Sequence, residues 1–261
     1  DAVPSPVAWV GEAVQIKPSP ELRFRRQSGT NLVVVGQQPE EAFGVLEAIT
    51  LSLSAQHPAA DGCRFVVCDG SSAEEPSREA WSRLAEAVPQ QVGVASPRKV
   101  GEAIGEIATE LARRDCEDDE DAPPIFLVIY HLGRFRDLRP GEDDFGFGAS
   151  FGGLDGDEVP SPSQQLASIL RDGPALGVHT LVWCDTYNNA TRWLNSQVMR
   201  ECEIRIAFQM NASDSSNFID SATASRLGNH RALLYLADQG ELEKFRPFAP
   251  SQSEWLAEVG E

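Results

Sequence analysis

The sequence predicts an α/β fold in which helices cover both faces of a largely parallel central sheet. Short apolar runs of strand length recur along the chain, and the most apolar of them is Ile125–Tyr130. Amphipathic helical patterns separate these runs, which is the alternation expected of parallel strands joined by helices. The 261 residues, of which 41% are hydrophobic, are enough to bury a large core.

The predicted elements follow one another in a regular order. Residues 1–30 are rich in proline and are expected to form a lead-in segment, in which "AWVGEAVQI" forms an edge strand or hairpin. Residues 31–261 are expected to form one domain, with a flexible Gly- and Asp-rich surface loop at 136–162. Its predicted strands are 31–35, 64–68, 91–94, 125–130, 180–184, 203–208, 231–236 and 242–245, and its predicted helices are 39–55, 77–87, 100–114, 163–171 and 190–199.

The composition argues against several classes of protein. The chain has 40 acidic and 22 basic residues and a formal net charge of -18. Nucleic-acid affinity comes largely from Lys and Arg side chains that neutralise phosphates, so direct contact with DNA is not expected. The longest apolar runs are strand-sized, and we therefore expect no membrane contact by this segment. Five cysteines without a CxxC pair favour a reducing compartment and argue against a zinc site.

The stretch "NLVVVGQQPEEAFGVLEAITLSL", residues 31 to 53, has the shape of a phosphate-binding loop. An apolar strand ends in Gly36, a short polar turn follows, and a long amphipathic helix comes next. A working loop of this shape reads GxxxxGK[ST]. Counted from Gly36, the last three positions of that pattern are Glu41, Ala42 and Phe43. Taken alone, the stretch is better explained as an ordinary strand-to-helix turn that has acidic residues in the first helical turn, and only the motifs around it favour a degenerate nucleotide loop.

Further motifs extend the likeness to a nucleotide-binding domain. They are, in order, "WVGEAV", "NLVVVG" with a helix ending "ITLSLSAQHP", "RFVVCDGSS", "IFLVIYHLGRFRDL", "LASILRDGPALGVHTLVWCDTY", "ECEIRIAFQMNASDSSNFID" and "RLGNHRALLYL". This series resembles the motor domain of the FtsK/SpoIIIE superfamily, which includes DNA-pumping ATPases and the multi-domain motors of type VII secretion. The resemblance covers roughly residues 5 to 248. It implies the three-layer RecA-like fold of P-loop NTPases, with a mostly parallel central sheet.

The resemblance also places the family's phosphate loop on residues that cannot perform its chemistry. The second glycine, the lysine and the magnesium-binding hydroxyl fall on Glu41, Ala42 and Phe43. Mg²⁺ needs oxygen ligands, which a phenylalanine does not have. Glu40 and Glu41 lie in the first helical turn, where they would satisfy the helix dipole and repel a polyphosphate. ATP hydrolysis by this domain is therefore not expected, and we expect it to hold no cofactor.

The remaining catalytic positions are replaced as well. The acidic pair that holds magnesium and polarises the attacking water falls on Tyr130 and His131, and the sensor glutamine falls on Asp185. Tyr130 and His131 could act as an acid–base pair, but no GxSxG or Cys–His arrangement accompanies them. Asp185 and Asp69 both follow apolar runs, and an acidic pocket that they form with Glu41 is an alternative to solvated loops.

The Gly- and Asp-rich loop contains three phenylalanines, Phe145, Phe147 and Phe151. Aromatic side chains in a flexible loop are suited to docking onto a neighbouring domain or a partner. They are equally suited to packing back onto the domain that carries them. We therefore treat these three residues as a candidate interaction loop.

Together, the replacements predict a catalytically inactive ATPase-like domain of a larger FtsK/SpoIIIE-type translocase, with a structural, regulatory or protein-binding role. The first residues include no starting Met and no signal-peptide pattern, so we expect a piece of a longer chain. That chain is expected to be cytoplasmic, or tethered to the membrane through its other parts. Expected partners are other domains or subunits of a translocase ring and a protein substrate, with ATP and Mg²⁺ only in an active neighbouring domain. The alternative is an active DNA-translocase motor domain that is completed by residues from neighbouring subunits.

Overall fold

The computed structural model describes residues 5–72, 74–75, 77–119, 121–141 and 160–259. The candidate interaction loop, Phe145, Phe147 and Phe151, lies outside these residues. The strands are β1 (Val7–Trp9), β2 (Gly11–Ala13), β3 (Glu21–Arg23), β4 (Leu32–Val35), β5 (Arg64–Asp69), β6 (Gln91–Ala95), β7 (Ile125–Tyr130), β8 (Val178–Cys184), β9 (Ile204–Ala207), β10 (Ala232–Leu236) and β11 (Glu241–Pro247). The helices are α1 (Pro39–Ser54), α2 (Ser77–Ala87), α3 (Val100–Glu117), α4 (Pro162–Asp172), α5 (Tyr187–Trp193), α6 (Ser196–Arg200), α7 (Ala212–Ile219) and α8 (Ser253–Val259).

Nine strands form the central sheet in the order β2-β11-β10-β9-β4-β8-β7-β5-β6. The strands from β9 to β6 in this order are parallel, whereas β10, β11 and β2 continue the sheet in antiparallel pairing. β2 is therefore an edge strand of this sheet, and β1 pairs separately with β3. The predicted α/β fold with a mostly parallel central sheet is confirmed.

The core consists of one hydrophobic cluster on each face of the sheet. Alternate residues of β7 belong to different clusters: Phe126, Val128 and Tyr130 to one, and Ile125, Leu127 and Ile129 to the other. α1 and α2 cover the first cluster, whereas α3 and α4 cover the second. All residues of β7 and β8 are buried, because a strand between two helical layers has no solvent-facing side.

The single helix predicted over 190–199 is wrong. The chain forms α5 and α6 instead, and Leu194 between them has an extended backbone, with φ of -108° and ψ of 97°. The side chain of Asn195 accepts hydrogen bonds from the backbone N–H groups of Gln197 and Val198, at 3.0 and 2.9 Å. Asparagine is a preferred N-cap residue, so it starts a second helix where the apolar pattern alone suggested one continuous helix.

The helix predicted over 100–114 is too short at its C-terminal end, because α3 continues through Glu117. Arg113 forms ion pairs with Glu110 and Glu117, three and four residues away on the same helix. These pairs extend the helix until Asp118, where the backbone is left-handed with φ of 53°. β3, α7 and α8 were not predicted. No helix in the described part of the chain is both long enough and apolar enough to cross a bilayer.

Candidate functional site at the carboxyl edge of the sheet

The turn after β4 is fixed by close contacts with its neighbouring strands. Gly36 has a φ of 149°, and a Cβ added there would lie 2.4 Å from the Cβ of Phe208. Only glycine fits such an approach without displacing backbone. The Gly36 N–H donates to the carbonyl of Cys184, and Trp183 Nε1 donates to the carbonyl of Gly36, both at 3.1 Å. The turn that resembles a phosphate loop is therefore held against β8 and β9.

The first turn of α1 is acidic. Pro39 begins the helix, Gln38 precedes it without a side-chain capping hydrogen bond, and Glu40 and Glu41 follow. Negative side chains at this end of a helix interact favourably with its dipole. Glu41 Oε1 also lies 3.0 Å from Nδ1 of the exposed His230. The helix terminus thus has carboxylates of its own at the place where a phosphate loop binds an anion.

Ala42 and Phe43 point into the protein, with exposed fractions of 0% and 2%. The Phe43 ring makes edge-to-face contacts with Trp81 at 4.9 Å and with Tyr130 at 6.1 Å between ring centroids. Trp183 lies 4.6 Å from Tyr130 on its other side. We call Phe43, Trp81, Tyr130 and Trp183 the aromatic cluster. The structure therefore brings two sequence-predicted site residues, Phe43 and Tyr130, into direct contact.

Tyr130 connects the end of β7 to the start of α1. Its hydroxyl donates a hydrogen bond to the carbonyl of Pro39 at 3.2 Å. Burial raises the pKa of the Tyr130 phenol well above its usual value, and the nearby Glu75 carboxylate acts in the same direction. The hydroxyl consequently stays protonated and remains a hydrogen-bond donor at neutral pH.

His131 directly follows β7 and Asp185 directly follows β8, and neighbouring residues contact both side chains. His131 has a left-handed backbone with φ of 65°, and its ring lies 4.8 Å from that of Trp183. Burial lowers the pKa of His131, while the Asp185 carboxylate opposes this shift, so the neutral imidazole is favoured. Asp185 accepts hydrogen bonds from Asn189 Nδ2 and from the Thr186 N–H, both at 2.9 Å.

The three carboxylates of the acidic pocket considered from the sequence have different partners in the structure. Asp69 accepts a hydrogen bond from the Ser71 N–H at 2.9 Å, Asp185 is bound by Asn189, and Glu41 contacts His230. Each carboxylate thus has a separate partner. Across the described ranges, no group of three or more His, Cys, Asp or Glu side chains is arranged to hold a metal ion.

Sequence reasoning missed a C-terminal segment, residues 248–251, that packs directly across α1. A Cβ added to Gly44 would lie 2.3 Å from the carbonyl oxygen of Phe248. Three residues further along the helix, Glu47 Oε2 accepts a hydrogen bond from the Ser251 N–H at 2.6 Å. The only local signal for this contact is a glycine inside a helix, which indicates a close backbone approach without identifying the partner.

Trp81 and Trp183 of the aromatic cluster were also missed as site residues. Both belong to elements that were predicted, but their contacts with Phe43 and Tyr130 join positions far apart in the sequence. Next to the cluster lies a cavity of about 290 Å³, lined by Phe43, Glu75, Tyr130 and the C-terminal segment. The space beside α1 is therefore bounded by aromatic rings, by carboxylates and by Arg83.

No protein-family model and no curated protein matches this chain. Among solved structures, it is similar to Thermomonospora curvata EccC (ATPases 2 and 3, in complex with a signal sequence peptide), with a TM-score of 0.68, 13% identity, and coverage of 98% of this chain and 46% of that one. It is similar to Geobacillus thermodenitrificans EssC (ATPases 2 and 3), with a TM-score of 0.68 and 14% identity. The match covers 100% of this chain and 49% of the EssC chain. It is also similar to the conjugation coupling protein TcpA of pCW3, in its monomer form with ATPγS, with a TM-score of 0.64, 13% identity, and coverage of 98% and 71%.

The chain spans about half of the length of the EccC and EssC chains. Identities this low show the fold alone. The α/β architecture with a mostly parallel central sheet that the sequence resemblance implied is confirmed at that level: this chain shares the fold of these EccC, EssC and TcpA structures.

Proposed function

We propose that this chain is a catalytically inactive ATPase-like domain of a larger FtsK/SpoIIIE-type translocase, in which it has a structural or protein-binding role. The observation that carries the proposal is the burial of Ala42 and Phe43. These are the positions at which the family's loop has its lysine and its magnesium-binding hydroxyl. In this chain both side chains belong to the hydrophobic core.

The residues at these positions do not fit magnesium-bound ATP. Mg²⁺ takes oxygen ligands in a near-ideal octahedron, and the Phe43 ring supplies none. Tyr130, which takes the place of one of the family's acidic residues, is a neutral phenol already bonded to the Pro39 carbonyl. The aromatic contacts of Phe43 stabilise the fold by apolar packing and offer nothing that could coordinate a metal.

The charge at the helix terminus supports the same proposal. A triphosphate at such a terminus is held by backbone N–H groups, the positive end of the dipole and a lysine ammonium. Here Glu40 and Glu41 bring negative charge to that turn, and His230 already contacts Glu41. A polyphosphate would therefore meet two carboxylates where it needs a cation.

The proposed partners are neighbouring domains or subunits of a translocase and a protein ligand. EccC, which shares the fold, was seen in complex with a signal sequence peptide. B204, with a TM-score of 0.56, is a DNA-packaging ATPase. The net charge of -18 favours a protein ligand over DNA for this domain, because phosphates require Lys and Arg side chains for binding.

Titration with magnesium–ATP, followed by calorimetry and by phosphate release, tests this proposal. We expect no binding at millimolar ATP and no turnover. Glu40→Gln together with Glu41→Gln is the informative control, since it removes the repulsion but supplies neither the lysine nor a metal ligand. We expect this variant to remain unable to hydrolyse ATP. Micromolar binding with turnover by the unmodified chain would refute the proposal.

A further inference from the structure

The central sheet ends in two edge strands that differ in length. β2 has three residues, whereas β6 at the opposite edge has five and pairs with β5 alone among the described strands. Within β6, Ala95 is buried, Val92 is half-buried and the other three residues are exposed. A Cβ added at Gly93 would meet no atom within 4 Å. The β6 edge of the sheet is therefore open to solvent.

The backbone hydrogen bonds of β5 show which of its residues face β6. The Arg64 N–H donates to the Pro124 carbonyl at 3.2 Å, on the β7 side of the strand. The Gly70 N–H, directly after β5, donates to the Tyr130 carbonyl of β7 at 2.9 Å. Successive residues of a strand direct their N–H and C=O groups to opposite neighbours. The even-numbered residues of β5 therefore face β7, and the odd-numbered residues face β6.

This alternation leaves the backbone groups of Val92 and Val94 without partners. Phe65 lies opposite Val92, and Val67 lies opposite Val94, in the parallel register of β5 and β6. In parallel pairing, a residue that faces its neighbour bonds to the residues on either side of its Cα partner. Phe65 and Val67 thus bond to the residues beside the two valines. The N–H and C=O groups of Val92 and Val94 point away from β5, and no other described residue forms a hydrogen bond with them.

The sequence of β6 lacks the devices that usually protect an exposed edge strand. Such strands are commonly very short, or they contain proline or charged side chains. β2 is short, but β6 has neither a proline nor a charged residue within Gln91–Ala95. Val94 adds an apolar side chain that is 42% exposed. Unpaired backbone groups along an open edge match an extended chain, which presents N–H and C=O groups at the same spacing.

We propose that β6 binds an extended segment of a partner protein, which adds a further strand to the central sheet. The N–H and C=O groups of Val92 and Val94 would form its backbone hydrogen bonds. β-branched side chains of the segment would lie beside the two valines, because neighbouring strands pair side chains on the same face. The net charge of -18 favours a segment with Lys or Arg at its ends. The proposal rests on the protein-binding role proposed above, but not on the absence of ATP turnover.

Amide hydrogen exchange, followed residue by residue by NMR, tests the edge and its occupant. In the free protein, we expect the amides of Val92 and Val94 to exchange at least about tenfold faster than those of Gly93 and Ala95, which bond to β5. The probe is N-acetyl-Lys-Thr-Val-Thr-Val-Thr-Lys-amide, added to the full chain at millimolar concentration. We expect this peptide to slow exchange at Val92 and Val94 by at least about threefold.

Two modified peptides and two variants separate backbone pairing from other contacts. The peptides have the same sequence, with N-methyl groups on the threonines in one and on the valines in the other. Each has lost the donors of one edge only, so we expect one to slow exchange like the parent peptide and the other to have no effect. Val94→Pro removes an outward N–H and leaves the bonds to β5, so it should abolish the response. Val94→Thr keeps the N–H and should respond like the unmodified chain.

Equal behaviour of the two methylated peptides would overturn the proposal, as would a parent peptide that leaves exchange at Val92 and Val94 unchanged. Slow exchange of these amides in the free protein would also overturn it, and slowing that increases with protein concentration would assign the edge to a second copy of this chain. If Val94→Pro does not fold, the methylated peptides still decide the question. None of these results would alter the outcome of the ATP titration, which tests catalytic inactivity separately.

Discussion

The two sides of α1 use the same kinds of residues in opposite ways. On one side, the aromatic cluster buries Phe43 against Trp81 and Tyr130, and the hydroxyl of Tyr130 is bonded to Pro39. On the other side, a groove lined by Glu47, Leu51, Phe248 and Trp255 leaves Trp255 exposed, and the buried Oε1 of Glu47 has no hydrogen-bond partner among the residues that the structure describes. Aromatic rings stabilise the fold on the first side and remain in contact with solvent on the second. The difference indicates that the aromatic side chains at the expected nucleotide site are buried, whereas those on the groove side are exposed.

Truncating the cluster should have the largest effect. We expect Phe43→Ala to lower the free energy of unfolding by about 3–5 kcal/mol, because it leaves a cavity between Trp81 and Tyr130. Chemical denaturation measures this loss. Trp255→Ala is the comparison on the groove side, and it should cost less than about 1 kcal/mol because its side chain is half exposed. If Phe43→Ala and Trp255→Ala lowered the free energy of unfolding equally, the distinction between a buried and an exposed aromatic side of α1 would be wrong.

Substitution at the crossing of α1 and the C-terminal segment should have the next largest effect. Gly44→Ala should destabilise the protein by about 1–3 kcal/mol, because the new Cβ would lie 2.3 Å from the carbonyl of Phe248. The control is Gly105→Ala in α3, where the nearest atom to the Cβ is 3.8 Å away. There the better helix propensity of alanine should stabilise the protein by up to about 1 kcal/mol. Thermal unfolding of both variants shows whether each substitution raises or lowers the stability of the protein. If Gly44→Ala stabilised the protein, the close packing of residues 248–251 against α1 would be contradicted.

Removing the hydroxyl of Tyr130 should have a smaller effect than removing the Phe43 ring. Tyr130→Phe loses the hydrogen bond to the Pro39 carbonyl but keeps the ring contacts, so we expect a loss of about 1 kcal/mol. Denaturation under the conditions used for Phe43→Ala gives the comparison. A loss as large as that of Phe43→Ala would show that the hydrogen bond, and not the packing, holds this region together.

The smallest expected effect is a pH dependence on the groove side. Burial raises the pKa of Glu47 above its usual value of 4.5, so the folded protein binds this proton more tightly than the unfolded chain does. The contribution of Glu47 to stability is therefore largest at low pH and is lost as pH rises from about 4.5 through the folded pKa. Relative to the unmodified protein, Glu47→Gln should gain stability over that window, measured by denaturation at several pH values. Glu254→Gln, which removes a carboxylate from an exposed residue, should show no pH-dependent gain in stability. The same gain in Glu254→Gln would show that the effect comes from the change in net charge and not from the burial of Glu47.

The parallel part of the sheet was predictable because its central strands β4 and β7 are continuous apolar runs and its other strands are short segments rich in apolar residues. β7 and α2 begin and end at the predicted residues. The pairing of β2 with β11 was not predictable, since it joins Ala13 to Phe245 across almost the whole chain. The break before α6 could have been found from Asn195, whose side chain is suited to an N-cap.

The candidate site shows the same limit on prediction. The sequence located Glu41, Ala42 and Phe43 at the start of α1, because that position depends only on the local order of strand, turn and helix. It did not reveal that Phe43 packs on Trp81, since burial of a side chain depends on elements that approach from elsewhere in the chain. Glu47 gave no signal for a similar reason: its side chain accepts a hydrogen bond from Ser251, 204 positions away in the sequence.

Under the proposed function, the hydrogen bond from the Tyr130 hydroxyl to the Pro39 carbonyl has a consequence for the rigidity of the domain. A domain that moved on binding nucleotide would need the contact between the sheet and the start of α1 to change. Here the Tyr130 hydroxyl links the end of β7 to the start of α1, and the rings of the aromatic cluster pack against one another beside that hydrogen bond. Under the proposed function, a domain with this fixed contact would hold the neighbouring domains at a constant distance. It would transmit their conformational changes without a nucleotide-driven change of its own.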